Sequence, residues 1–294
     1  MRRTILFLGL TVVAALSLPQ IASAAVPKCL GRKATIVGTH KAELIKGTPK
    51  GDVILGLGGS DTIKGLGGDD WICGGKGADK LIGGIGSDVL SGDVGTDTVA
   101  GGGGANDWLV GGAGDDAFDG GPGKGDTATF HFAPAGVQAD LTTGTATGEG
   151  TDTLTGIEYL EGSDFEDTLT GDAGSNYLFP AGGDDTVDGG GGIKDRVDYF
   201  FSTNAVNVDL IAGIATGDGT DTLTGIEQVF GSQNNDTITG DAAPNAMYGG
   251  PGNDTVSGRA GDDTLDGGKG ADTLDGGDGT DTCRNGETNV NCEA

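Results

Sequence analysis

Across residues 47–126 a large aliphatic side chain returns every nine positions, at Ile54, Ile63, Ile72, Leu81, Leu90 and Val99, with polar or small residues on either side. Alternation over only three residues is the mark of a very short strand with one side chain turned inward. The six residues of each interval are rich in glycine, aspartate and serine, a turn composition, as in GLGGSDTIK at 56–64 and GGIGSDVLS at 83–91. Glycine recurs too often after residue 24 for a helix of ordinary length. A chain that repeats strand and turn on a fixed period winds into a solenoid. Two units make one coil with a strand on each side, and coils stack about 4.8 Å apart. The predicted fold is all-β, with residues two units apart lying one above the other.

The pattern divides the chain into seven parts. Residues 1–24 read as a secretory signal: Arg2 and Arg3, an apolar run over 5–18, then Ala22-Ser23-Ala24 before a mature start near Ala25. The run is short of the roughly 20 residues a spanning helix needs. Residues 25–46 are expected to cap the open end of the solenoid, and 47–126 form the first array. Residues 127–195 and 196–248 are two blocks related by a gapless offset of 69 residues: TATGEGTDTLTGIE at 145–158 returns as ATGDGTDTLTGIE at 215–227. Their non-consensus stretches, with Phe130, Phe132, Val137 and Leu141 in the first and Tyr199, Phe201, Val206, Val208 and Leu210 in the second, alternate like strands and are read as irregular coils of the same rod. Residues 249–284 form the last array and 285–294 a tail.

Composition sharpens this picture. With 62 glycines in 294 residues and only 5% aromatic content, the chain cannot build a large conventional core, so part of its order must come from outside. The net charge of -27 argues against nucleic acid or an anionic membrane surface as partner and for cations. Four cysteines, Cys29, Cys73, Cys283 and Cys292, suit disulfides in an exported chain. Three pairings are possible; a rigid rod keeps its ends apart and favours Cys29 with Cys73 and Cys283 with Cys292. Zinc is disfavoured, because there is no CxxC and only His40 and His131.

An aspartate stands two places before each inward residue. In the stacked coils Asp52 lies beneath Asp70 and Asp61 beneath Asp79, so a column of carboxylates runs down each edge of the rod. Such columns repel themselves unless a cation sits between rungs. Carboxylate and carbonyl oxygens suit Ca²⁺, whereas Mg²⁺ demands tighter octahedral geometry and keeps its waters. Binding in a site that the unfolded chain lacks is also folding free energy, so calcium is expected to drive folding.

These units resemble the RTX, or haemolysin-type, nonapeptide repeats of secreted bacterial calcium-binding proteins. The resemblance implies a right-handed parallel β-roll whose metal ligands are turn carbonyls and the sixth-place aspartates: Asp52, Asp61, Asp70, Asp79, Asp88, Asp97, Asp107, Asp116, Asp126, Asp167, Asp185, Asp195, Asp236, Asp254, Asp263, Asp272 and Asp281. Several units depart from the pattern. Asn176 and Asn245 replace the aspartate, Lys50 replaces a turn glycine, and extra residues precede Asp107, Asp126 and Asp195, so sites there are expected to be weaker or absent.

Enzymatic signatures are missing: there is no HExxH and no GxSxG, although paired carboxylates for glycoside chemistry would be hidden in so acidic a chain. His131 reads as a surface residue. Trp71 and Trp108 both follow a ladder aspartate and so point outward on one face, about 10 Å apart, a spacing on which sugar rings could stack. The expected function is a secreted, non-enzymatic, multi-calcium structural or adhesion module with calcium ions and extracellular polysaccharide as partners. The alternatives are a carbohydrate-active enzyme and a glycan- or ice-binding protein on the same rod.

Overall fold

The computed structural model describes residues 28–293; the expected signal 1–24 and the cleavage point near Ala25 lie outside the described residues. Among the described residues every regular element is a strand. They build two facing sheets. The first has thirteen strands, from Ile36–Val37 through Val53–Leu55, Trp71–Lys76 and Val89–Val94 to Thr282–Arg284, all parallel. The second begins with Leu44–Lys46, Thr62–Gly67, Lys80–Ile85 and Thr98–Gly102, also parallel.

Register follows the aliphatic period. Ile54, Ile72, Leu90 and Leu109 are paired neighbours in the first sheet, and Ile63, Leu81, Val99 and Phe118 in the second. All but Phe118 are fully buried, so two columns of aliphatic side chains meet between the sheets. Each such side chain contributes about 1.5–3 kcal/mol by leaving water. A shift of one residue would turn the whole column outward, which is why the short strands hold register.

The duplicated blocks differ from the expectation of irregular coils. Between Thr127–Thr129 and Tyr159–Glu161, which are adjacent in the first sheet, the chain lays three strands in the second. Gln138–Asp140, Thr145–Thr147 and Thr151–Thr155 form an antiparallel meander, whose outer strands pair in parallel with Thr168–Thr170 and Ala117–Asp119. Asn207–Asp209, Ile214–Thr216 and Thr220–Thr224 repeat it in the second block. Residues 130–132 are not a strand: the Ala133 N–H bonds the Phe130 carbonyl in a tight turn, 2.8 Å, with Phe130 buried and Phe132 exposed. The strand-like alternation expected there is replaced by a turn that buries Phe130 and Ala133 and exposes both residues between them.

At the N-terminal end, Lys28–Cys29 and Arg32–Lys33 form an antiparallel hairpin fixed to the outward side of the first sheet. Cys29 is disulfide-bonded to Cys73, with Cα atoms 5.6 Å apart, and the Arg32 guanidinium lies 3.9 Å over the Trp71 ring. Coil strands already begin at Ile36 and Ile45, which pair with Ile54 and Ile63. At the other end Cys283 is bonded to Cys292, and Thr288–Val290 adds the last strand of the second sheet. No described helix is long and apolar enough to cross a membrane.

Candidate metal centres

Each turn leaves the N–H of its aspartate without a carbonyl to bond, because the strand ladder starts one residue later. The carboxylate one coil on supplies the acceptor. Asp52 N–H donates to Asp70 Oδ1 at 2.8 Å, Asp70 to Asp88, Asp88 to Asp107 and Asp107 to Asp126 along one edge. Asp61 donates to Asp79, Asp79 to Asp97 and Asp97 to Asp116 along the other. The same rungs link Asp167 to Asp185, Asp236 to Asp254, Asp254 to Asp272 and Asp263 to Asp281. All seventeen predicted aspartates are buried on these two edges.

The second oxygen of each carboxylate separates them into two groups. In fourteen of the seventeen, Oδ2 is buried with no hydrogen-bond partner among the described residues: Asp61, Asp70, Asp79, Asp88, Asp97, Asp107, Asp116, Asp126, Asp185, Asp195, Asp254, Asp263, Asp272 and Asp281. A buried carboxylate oxygen left unpaired costs a few kcal/mol. The other three are satisfied by the protein. Asp52 Oδ2 accepts from the Thr48 N–H and hydroxyl, Asp167 from Ser163 and Asp236 from Ser232.

The glycine that opens each turn shows what surrounds the orphaned oxygen. A Cβ on Gly65 would run into both Asp70 Oδ2 and the Gly83 carbonyl, and one on Gly56 into Asp61 Oδ2 and the Gly74 carbonyl. Gly249 and Gly258 repeat this with Asp254 and Asp263. Carboxylate and carbonyl oxygens from successive coils therefore converge where the missing side chain leaves space. No cluster of three His, Cys, Asp or Glu side chains stands close enough to hold a metal alone among the described residues, so carbonyls must complete the shell. A hard, oxygen-only donor set of this kind fits Ca²⁺. At the fourth place of the turn Gly77, with φ +131°, packs against the Gly59 carbonyl of the coil below, and no other residue fits there.

Burial, aided by neighbouring carboxylates and opposed by the rung hydrogen bonds, pushes the carboxyls of Asp70, Asp88, Asp107 and Asp254 up to about 6 and those of Asp97 and Asp185 up to about 7. Protons and cations therefore compete for the same oxygens near neutrality.

The departures from consensus fall out unequally. The extra residues before Asp107, Asp126 and Asp195 do not break their rungs: each Oδ1 still accepts the N–H of the coil below, at 2.8–2.9 Å. Asn176 and Asn245 do break theirs. Their Oδ1 turns to the N–H of Asp172 and Asp241, and Asn176 Nδ2 donates to the Glu158 carbonyl while Asn245 Nδ2 has no partner among the described residues.

Six ladder carboxylates escaped the sequence reading. Asp152 and Asp221 accept from Asp116 and Asp185, Glu158 and Glu227 from Asp126 and Asp195, and Glu287 and Glu293 close the two columns by accepting from Asp272 and Asp281. A signal for the first pair was present, since GEGTDTLT at 148–155 is itself a repeat unit. Of the outward tryptophans, Trp71 and Trp108 do lie two strands apart on the first sheet through Val89. Arg32 covers Trp71, however, so the two do not form one open stacking platform.

Comparison with known proteins agrees with this geometry. The RTX calcium-binding nonapeptide repeat matches residues 46–81, 74–106, 102–125, 161–193, 224–243 and 248–283, together more than half of the chain. The two long gaps, 126–160 and 194–223, take in the two meanders, save the last residue of the second. No curated protein matches the chain. The chain belongs to the RTX calcium-binding nonapeptide-repeat family, and the cation its repeats bind is calcium.

Proposed function

We propose that the fourteen aspartates with unsatisfied Oδ2 atoms hold calcium ions together with turn carbonyls of successive coils, and that calcium thereby folds an exported, non-enzymatic rod that serves as an extracellular structural or adhesion element. The observation that carries this reading is the row of buried, unpartnered carboxylate oxygens facing carbonyls across the glycine turns. A chain with this many uncompensated buried oxygens gains its stability by neutralising them, and the free energy of ion binding becomes free energy of folding. Asp167 and Asp236 take a structural part, because protein donors already occupy both their oxygens, and Asp52 joins them because Thr48 already occupies its Oδ2. Export supplies the calcium and the oxidising conditions in which Cys29–Cys73 and Cys283–Cys292 form.

The test is circular dichroism of chelated protein as calcium is restored. A cooperative gain of β signal at millimolar calcium or below, with no comparable gain from magnesium, is expected. Chelated protein that stays as ordered and as heat-resistant as the calcium-treated form refutes the proposal.

A further inference from the structure

The outward side of the first sheet carries a cleft of about 640 Å³ over the duplicated blocks. Its floor comes from successive strands: Trp108 at one end, then Glu161, Phe179 and Asp198, the last residues of Tyr159–Glu161, Tyr177–Phe179 and Arg196–Asp198. The two equivalent loops that follow Thr127–Thr129 and Arg196–Asp198 both line it. Phe132 and Phe201, which correspond under the 69-residue offset, present their rings from these loops at 64% and 74% exposure. Two large rings held in water at matching places are costly unless something covers them.

The polar lining narrows what can. Among the described residues that line it there is no lysine or arginine; His131 faces Glu161 at 3.8 Å, and Glu161, Asp164, Asp198 and Asp218 make the lining acidic, which sets it against a polyanion. The carboxylates are not bare charges waiting for a cation either. Asp198 is paired with Arg196 at 2.6 Å, Glu161 accepts the Thr129 hydroxyl at 2.6 Å, and Asp218 accepts the Thr203 N–H at 2.8 Å. They offer further lone pairs to neutral donors. From Trp108 to Asp198 the floor crosses four strand spacings, about 19 Å, which suits an elongated ligand. Apolar rings interleaved with oxygen acceptors match a chain of sugar rings, whose C–H faces stack on aromatics while hydroxyls donate.

We propose that this cleft binds a neutral oligosaccharide, with sugar faces on Phe132, Phe201 and Trp108 and hydroxyls donated to Glu161, Asp164 and Asp218. The site uses the calcium-folded rod as scaffold and deepens the adhesion reading, but no calcium ion takes part in it.

Trp71→Phe leaves Trp108 as the single fluorescent reporter. Calcium-loaded protein with this change is titrated with cellohexaose, mannohexaose and N-acetylchitohexaose, with an oligogalacturonate as the anionic control, and circular dichroism is recorded on the same samples. A saturable change in Trp108 emission with at least one neutral hexasaccharide is expected, weakened tenfold or more by Phe132→Ala with Phe201→Ala, while the calcium-dependent β signal is retained. The inference is overturned if no neutral saccharide of the three binds, if only the galacturonate does, or if the double variant binds as tightly. A missing calcium response with intact sugar binding would sink the calcium reading and leave the cleft standing.

Discussion

Removing calcium should invert the dependence of stability on pH. In the ion-free protein, carboxyls that titrate near 3.8 in the unfolded chain titrate near 6 at Asp70, Asp88, Asp107, Asp152 and Asp254 and near 7 at Asp97 and Asp185. The folded form thus binds more protons than the unfolded form throughout that interval, so its stability is fully present below pH 3.8 and is lost as pH rises through 6 and 7. Each tenfold difference in proton affinity between the two forms is worth about 1.4 kcal/mol. Halved for the water that screens turns at the rim of the rod, Asp97 or Asp185 costs about 2 kcal/mol at neutral pH and each of the other five about 1 to 2 kcal/mol. The total is on the order of 10 kcal/mol, comparable with the whole stability of an ordinary domain. With calcium present the sign reverses, because each ion displaces protons from the same oxygens and binding strengthens as pH rises. The assay is thermal melting followed by circular dichroism from pH 4 to 7.5, in EDTA and in millimolar calcium. A chelated protein that becomes more stable between pH 4 and 7 would refute the reasoning.

Asp97→Asn should separate the two states: it removes a buried charge and raises the chelated protein's melting temperature at pH 7, yet shifts the calcium midpoint several-fold upward. Thermal scans with calcium titration read both effects. Gly65→Ala places a methyl group against Asp70 Oδ2 and the Gly83 carbonyl, and should cost about 1–3 kcal/mol of stability in calcium, measured by urea unfolding. Ile72→Ala, in the middle of a fully buried column, should cost about 2–5 kcal/mol with or without the Asp97 change, so a double-mutant cycle between these two should be near zero. Cys29→Ser with Cys73→Ser opens a loop of 44 residues and should cost about 4 kcal/mol in the chain-entropy account. It also frees the hairpin bearing Arg32, so Trp71 emission should move to the red.

The nine-residue period made the coils, the inward aliphatic columns and the Asp52-to-Asp126 ladders legible, because each is a local signal repeated without interruption. Their partners within the blocks were harder to read because the meander replaces the usual spacing of 18 with 36 between Asp116 and Asp152 and between Asp185 and Asp221. Asp152 lies in a unit that lacks only the opening glycine, replaced by Thr147, but only tertiary pairing shows which coil it caps. Glu158 and Glu227 were missed for another reason: a longer side chain reaches the same N–H from a turn with fewer glycines, so the aspartate pattern does not find it. Which carboxylates need an ion was also illegible. Asp167 and Asp185 hold the same place in their units, yet the Ser163 hydroxyl and N–H satisfy one, whereas Ala181 stands at the matching place of the other and its Oδ2 has no partner among the described residues.

That contrast makes the rod unequal along its length. Twelve of the fourteen unsatisfied oxygens lie in the runs from Asp61 to Asp126 and from Asp254 to Asp281, and only Asp185 and Asp195 lie between. In the middle, Ser163, Ser232 and the Tyr199 hydroxyl, which donates to Asp221 at 2.8 Å, do the work left to ions elsewhere. When calcium is withdrawn, unravelling should therefore start in the two mineral-dependent arms and stop at a hydroxyl-pinned waist, leaving a shortened kernel that still displays the aromatic cleft and can template rewinding in both directions once the ion returns.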